Sequence, residues 1–201
     1  MLEQIMNTPW KFFNKLASLL VYPWVRVLFL LHAIPWKIGW QFYGVPIIFK
    51  HRQSVMRFGK NLQLRSSLRS NPLGVNHPVI LATLHQNSQL IIGDQFAMSG
   101  GCICVAEKVT IGNNVAIGAN STIVDTDFHP LSSDLRAANP QDGKSKPVTI
   151  EDDVFIGMNC LIVKGVTIGK GSVIGANSVV TRDIPPESIA AGNPAQVVRA
   201  V

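Results

Sequence analysis

A beat of six residues between Val148 and Val180 constrains this chain more than any other feature. Ile150, Ile156, Ile162, Ile168, Ile174 and Val180 recur at that interval, and Gly157, Gly169 and Gly175 follow three of them directly. A small or branched residue stands four places after each of the first five: Val154, Cys160, Val166, Ser172 and Ser178. A period of six fits neither an amphipathic helix at 3.6 nor an isolated strand at 2.

Such a period marks a parallel β-helix, in which three hexads make one triangular coil. The keyed aliphatic points inward, the small residue packs beside it, and Gly or Asn turns the corner at positive φ with little strain. Residues 18 apart then stack, as Ile150 does on Ile168. The fold class expected is mainly β, a left-handed parallel β-helix with an N-terminal apolar helical appendage. The expected division puts the appendage at 1–50 and the β-helix at 51–201.

The appendage is rich in aromatics and carries all four Trp. A secretory signal fits poorly, because Glu3 comes early and no small-residue cleavage site follows a clean apolar core. The apolar run 16–34 is nearly long enough to span a bilayer, but Pro23 and Arg26 interrupt its middle. Two short helices, about 10–21 and 24–34, are therefore expected, lying in a lipid interface through residues 1–45. The alternatives are that they cap the open coil end or pack between subunits.

Charge supports the interfacial reading. Charged residues make up only 15% of the chain, against about 25% in ordinary soluble domains. Of a net charge of +6, ten Lys and Arg between Lys11 and Arg69 face only Glu3 before Asp94. That asymmetry suits an anionic membrane surface or acidic ligands. The expected location is cytoplasmic, at the inner face of the membrane, with no nucleic-acid partner. Cys102, Cys104 and Cys160 have neither disulfide nor zinc spacing and read as reduced core thiols.

A ragged coil starts near Val55, and the two prolines and Gly of Asn71-Pro72-Leu73-Gly74-Val75-Asn76-His77-Pro78 mark a loop. Hexads resume at Ile92, slip by one residue before Ile111, and continue through Ile117 and Ile123. Counting on gives His129 as the next inward site, yet Ile150 lies 21 residues beyond it, which is not a multiple of six. The coil must break, and the polar segment 126–147 should project from the wall. The tail 181–201 should fold back over the last coils.

His129 leaves the wall with Asp125 and Asp127 nearby. An imidazole titrates near neutrality, and a neighbouring carboxylate or carbonyl can fix its tautomer, which suits a general base. An acceptor hydroxyl becomes a good nucleophile only as its proton is removed.

Ile111-Gly-Asn-Asn-Val-Ala-Ile-Gly-Ala-Asn, Asp127-Phe-His-Pro, Gly165-Val-Thr-Ile-Gly, Val180-Thr-Arg-Asp-Ile-Pro-Pro and Ala191-Gly-Asn-Pro-Ala resemble the hexapeptide-repeat acetyltransferases. The branch most similar holds the maltose, galactoside and polysaccharide-biosynthesis O-acetyltransferases, and the resemblance covers about 55–201. It implies a homotrimer with active sites between subunits, acetyl-CoA as donor, a saccharide hydroxyl as acceptor, and no metal. By position it makes His129 the base. Gly157, Met158 and Ala176 would line the pantetheine channel, Thr181 and Arg182 would reach the phosphate end, and Arg199 would lie near the nucleotide. Ser99 and Glu107 align with acceptor contacts that are Asn and Asp in the galactoside enzymes, and Gln196 replaces an Arg. Asp127, Asn71 and His77 complete the acceptor-side candidates.

Other readings are an N-acetyltransferase acting on an amino-sugar nucleotide and a non-catalytic β-helix scaffold. A zinc carbonic anhydrase on this fold is excluded by its ligand spacing: position 134 is Asp, and no His follows His129.

Overall fold

The computed structural model describes residues 7–201, so Glu3 lies outside the described residues. The chain winds into a three-faced parallel β-helix. Face A stacks Gln41–Tyr43, Gln63–Arg65, Ala97–Ser99, Ala116–Ile117, Phe155–Ile156 and Val173–Ile174. Face B stacks Ile47–Lys50, Ile80–Thr83, Cys102–Val105, Thr122–Val124, Leu161–Ile162 and Val179–Val180. Face C stacks Val55–Phe58, Gln89–Ile92, Lys108–Ile111, Val148–Ile150 and Thr167–Ile168.

The keyed aliphatics meet as the beat of six requires. Ile111 stacks on Ile150 and Ile150 on Ile168 along face C. Ile117 stacks on Ile156 and Ile156 on Ile174 along face A. All are essentially buried, and each such side chain contributes about 1.5–3 kcal/mol of burial. Corners use left-handed backbone: Asn61, Gln95, Asn114, Asp153 and Glu187 on one edge, Asn120, Asn159 and Asn177 on another.

The stack starts earlier than expected. Phe42 pairs with Leu64 and Ile48 with Leu81, so residues 41–50 belong to the first coil and not to the appendage. The hexad rhythm hides this because the early coils are longer. Phe42 to Leu64 is 22 residues, Met98 to Ile117 is 19, and Ile156 to Ile174 is 18. In the middle coil the slip has a clear origin. The A–B corner there shrinks to Gly100 and Gly101, while four-residue strands lengthen faces B and C.

The appendage is one helix, α1 (Pro9–Leu31), not two. Pro23 sits inside it; proline forfeits one backbone hydrogen bond there, and tertiary packing further along holds the helix together. Val25 and Phe29 are fully buried. Phe29 meets Trp36, Trp40, Phe42 and Phe58 at centroid distances of 5.3–6.1 Å, closing the open end of the first coil. The other end is closed by the tail. Ser188–Gly192 adds to face A beside Val173–Ile174, and Ala195–Ala200 folds back antiparallel on it.

Candidate functional site

Two corners of the prism carry the candidate residues, and they are different corners. The B–C corner releases the 125–147 loop, which contains the short helix α2 (Ser133–Ala138). The same corner holds Glu107 one coil before, and Thr181 and Arg182 on the last coil. The A–B corner releases the 66–79 loop with Asn71 and His77, and holds Gly157, Met158 and Ala176 on later coils. Ser99 lies buried where face A runs into that corner. Arg199 lies apart from both, on the final antiparallel strand.

At the B–C corner Asp125 roots the loop. Its carboxylate is fully buried and accepts the backbone N–H groups of Ala106, Glu107 and Lys108 at 2.6–2.8 Å. Burial pushes its carboxyl above the ordinary range, against three N–H donors that pull it down. Asp125 thus clamps the loop to the coil before it and does not orient His129. Asp127 is taken up as well, by Lys164 at 3.0 Å from the next coil. Lys164 escaped the sequence reading because its coil mate is displaced by the whole length of the loop.

The group that orients His129 is a carbonyl. Nδ1 lies 2.6 Å from the Pro140 oxygen. A carbonyl can only accept, so Nδ1 carries the proton and Nε2 presents a lone pair. The preceding residue, Phe128, is bent to φ 60° and donates its N–H to Thr126 Oγ1, and strained non-glycine backbone of this kind concentrates at functional positions. Gly143 backs the turn. A Cβ there would strike the carbonyl carbon of Phe128 and lie 2.7 Å from the His129 nitrogen. The imidazole is exposed in the single chain.

One potential nucleophile approaches this corner. Cys104 lies on the strand beside Val124, but burial first, then the charges at Cys102 and Asp125, push its thiol up to about 12. It stays protonated at neutral pH and is a poor nucleophile.

On the A–B corner Gly157 has a packing role. A Cβ there would meet the Ala176 nitrogen at 2.5 Å, so only Gly lets these coils stack. Asn120 ties the 66–79 loop to the wall. Its Oδ1 accepts from Asn76 N at 2.9 Å, and its Nδ2 donates to Gly74 O at 3.1 Å. His77 Nδ1 is occupied by Pro78 O at 2.8 Å, and Asn71 caps its own turn through Leu73 N.

A family model described as hexapeptide repeat of succinyl-transferase matches residues 108–124 and 147–182, omitting the projecting loop. The chain is 48% identical over 115 residues to a galactoside O-acetyltransferase of Escherichia coli K12, covering 57% of this chain and 55% of that one. It spans about half the length of the curated relatives it matches. A solved maltose O-acetyltransferase from Clostridium difficile 630 superposes with a TM-score of 0.50 at 28% identity, over 82% of this chain and 70% of that one. An N-acyltransferase from Bacillus cereus gives a TM-score of 0.59 at 16% identity, over 87% and 88% of the two chains, which speaks for the fold alone. With its six-residue register, its projecting His129 loop and these likenesses, the β-helix of this chain belongs with the hexapeptide-repeat acetyltransferases.

Proposed function

We propose that the chain moves an acetyl group from acetyl-CoA to a sugar hydroxyl, with His129 as general base. One observation carries the reading: an imidazole at the root of a projecting loop, with Nδ1 tied to a carbonyl and Nε2 free. Nε2 takes the hydroxyl proton as the oxygen attacks the thioester carbon. As the carbon–sulfur bond breaks, the imidazolium returns that proton to the departing sulfur. A positioned base of this kind is worth about a hundredfold or more in rate. Lys164 and Asp127 keep the loop root in place, and Cys104, held protonated, offers no competing covalent route.

The donor fits the exposed residues. Arg182 and Arg199 have no carboxylate partner among the described residues and suit phosphate, with the Thr181 hydroxyl beside Arg182. Gly157, Met158 and Ala176 offer a low wall for a narrow chain. Ser99, Glu107, Asn71 and His77 remain acceptor-side candidates.

A single chain cannot close one site around both corners, which supports a second copy bringing its A–B corner to the B–C corner of the first. A closed ring of three is the symmetric solution taken here. The outward row of face B is apolar for this purpose, with Ile47 and Phe49 exposed and Ile80, Val124, Leu161 and Val179 half-buried.

The helix α1 supports work at the inner face of a membrane, on surface polysaccharide or a lipid-linked glycan. Trp10, Phe13, Leu20, Trp24 and Leu30 are exposed. Because its last turns are committed to capping the coil, only Pro9 to Trp24 is available to lipid. That is roughly 24 Å of helix, short of the roughly 30 Å hydrocarbon core. The segment therefore lies in the interface instead of spanning it.

The test uses mixing. His129→Ala and Ala176→Trp copies, each inactive alone, regain CoA release with galactoside or maltose acceptors when co-assembled. Failure to regain activity, with mixed oligomers present, defeats the shared site. An acetyl product that resists mild alkali would mark an amide and defeat the hydroxyl acceptor.

A further inference from the structure

Between α1 and the 66–79 loop lies a cavity of about 860 Å³ that none of this chemistry uses. Its walls include Trp10, Lys11 and Lys15 from the start of α1, Tyr43 and Arg65 from face A, and Arg69 from the loop. Four cations converge, and no acidic residue lines the space. The ion pairs among the described residues, Lys164–Asp127 and Lys170–Asp153, involve none of the four. Like charges drawn together without a counter-charge repel one another, and a bound anion would relieve that.

The cluster is also held in shape. The Arg65 guanidinium lies 4.4 Å over the Tyr43 ring, and its Nη1 donates to Ser70 O at 2.6 Å. Asn14 Nδ2 donates to Arg69 O at 3.0 Å, latching the helix to the loop. Lys11, Lys15 and Arg69 are exposed and free to turn inward. Guanidinium forks match phosphate oxygens, and ammonium groups add point charge. The apolar flank of α1, with Phe13 and Leu16 exposed, continues from the same turns. A ligand with an anionic head and an apolar tail would satisfy both surfaces.

We infer that this cavity binds a phosphate or diphosphate group borne on an apolar tail at the membrane surface. It opens on the A–B corner three coils before Gly157, roughly 14 Å along the wall at the spacing of parallel strands. A glycan carried by that phosphate would extend towards the candidate acceptor residues. This last step rests on the acyl-transfer reading, and the phosphate site itself does not.

The experiment uses the full chain with phosphatidylcholine vesicles, with and without phosphatidate, and with inorganic pyrophosphate as a soluble competitor. Wild type should float with phosphatidate vesicles and be displaced by pyrophosphate. Lys11→Gln, Lys15→Gln and Arg69→Gln together should weaken binding about a hundredfold, at roughly fivefold per charge, whereas Lys11→Arg, Lys15→Arg and Arg69→Lys together should hold it within a few-fold. Equal binding by wild type and the Gln variant overturns the site. Pyrophosphate binding with the same charge dependence but no vesicle retention overturns the tail and points to a soluble diphosphate. The His129→Ala chain should bind vesicles as wild type does. Lost turnover with intact vesicle binding would thus sink neither claim, while intact turnover in that variant sinks only the acyl-transfer reading.

Discussion

The 66–79 loop leaves the A–B corner and turns back onto the wall, burying Ser66, Ser70, Val75 and Val79. The 125–147 loop leaves the B–C corner and stays exposed throughout 131–142. Both interrupt a coil, and both hold a His whose Nδ1 meets a carbonyl. In the first, that carbonyl belongs to the adjacent Pro78; in the second, to Pro140, eleven positions on. A contact to a neighbour only shapes a turn. A contact across the loop fixes one ring against a segment that returns from elsewhere, giving His129 a defined tautomer at a projecting position. The inward loop completes a wall, and the outward loop reaches beyond its own chain.

The largest effect that tests this contrast is His129→Ala, which should lower turnover by about a hundredfold or more with acetyl-CoA affinity retained by calorimetry. The matching His77→Ala should leave turnover at saturating acceptor within a few-fold. Equal losses would erase the distinction. Next comes Gly143→Ala. The added methyl group pushes on Phe128 and His129, and misplacement of a catalytic group by about an ångström costs up to about a hundredfold. A fall of about tenfold or more in turnover, with an unchanged melting curve, is expected.

Smaller effects concern stability. Asp125→Asn keeps the shape but sets an amide NH₂ against backbone donors, so about 2 kcal/mol should be lost in urea unfolding. Asn120→Gly keeps the positive φ while removing both ties to the inward loop, for about 1–2 kcal/mol. Hydrogen exchange should then rise across 70–78 and stay unchanged across 126–147. A rise in both loops would mean that they are coupled through the wall.

The experiment on the appendage changes with the fold. Removing residues 1–45 would take away the Phe29 plug and the first strand of face A, so loss of membrane binding there could reflect a collapsed coil. A cut after residue 20 keeps Val25, Phe29 and the aromatic cluster, yet removes Lys11 and Lys15 with most of the exposed apolar face. That shorter chain should stay folded and stop sedimenting with vesicles.

Much of the late prism was legible because its repeat is short-range. Each keyed Ile from 111 to 174 stacks on a residue a fixed distance along the chain, so composition at that spacing carries the architecture. The loop at 126–147 was legible for the same reason, as an interval that breaks the count. The early coils were not, since Phe42 to Leu64 spans 22 residues and aromatics replace the aliphatics. Nor was Pro23 a reliable stop, because packing of Phe29 outweighs one missing hydrogen bond.

From residue order alone came the wound β-scaffold, the projecting loop and the imidazole at its root, since each depends on spacing along one chain. Three-dimensional packing alone decided which groups surround that imidazole. The flanking Asp125 turns inward to backbone donors, Asp127 goes to Lys164, and a carbonyl takes the ring. It also split the candidates between two corners and closed a basic cavity between α1 and the inward loop. Those outcomes depend on contacts between segments far apart in the chain, whose directions are set only once the coils have stacked.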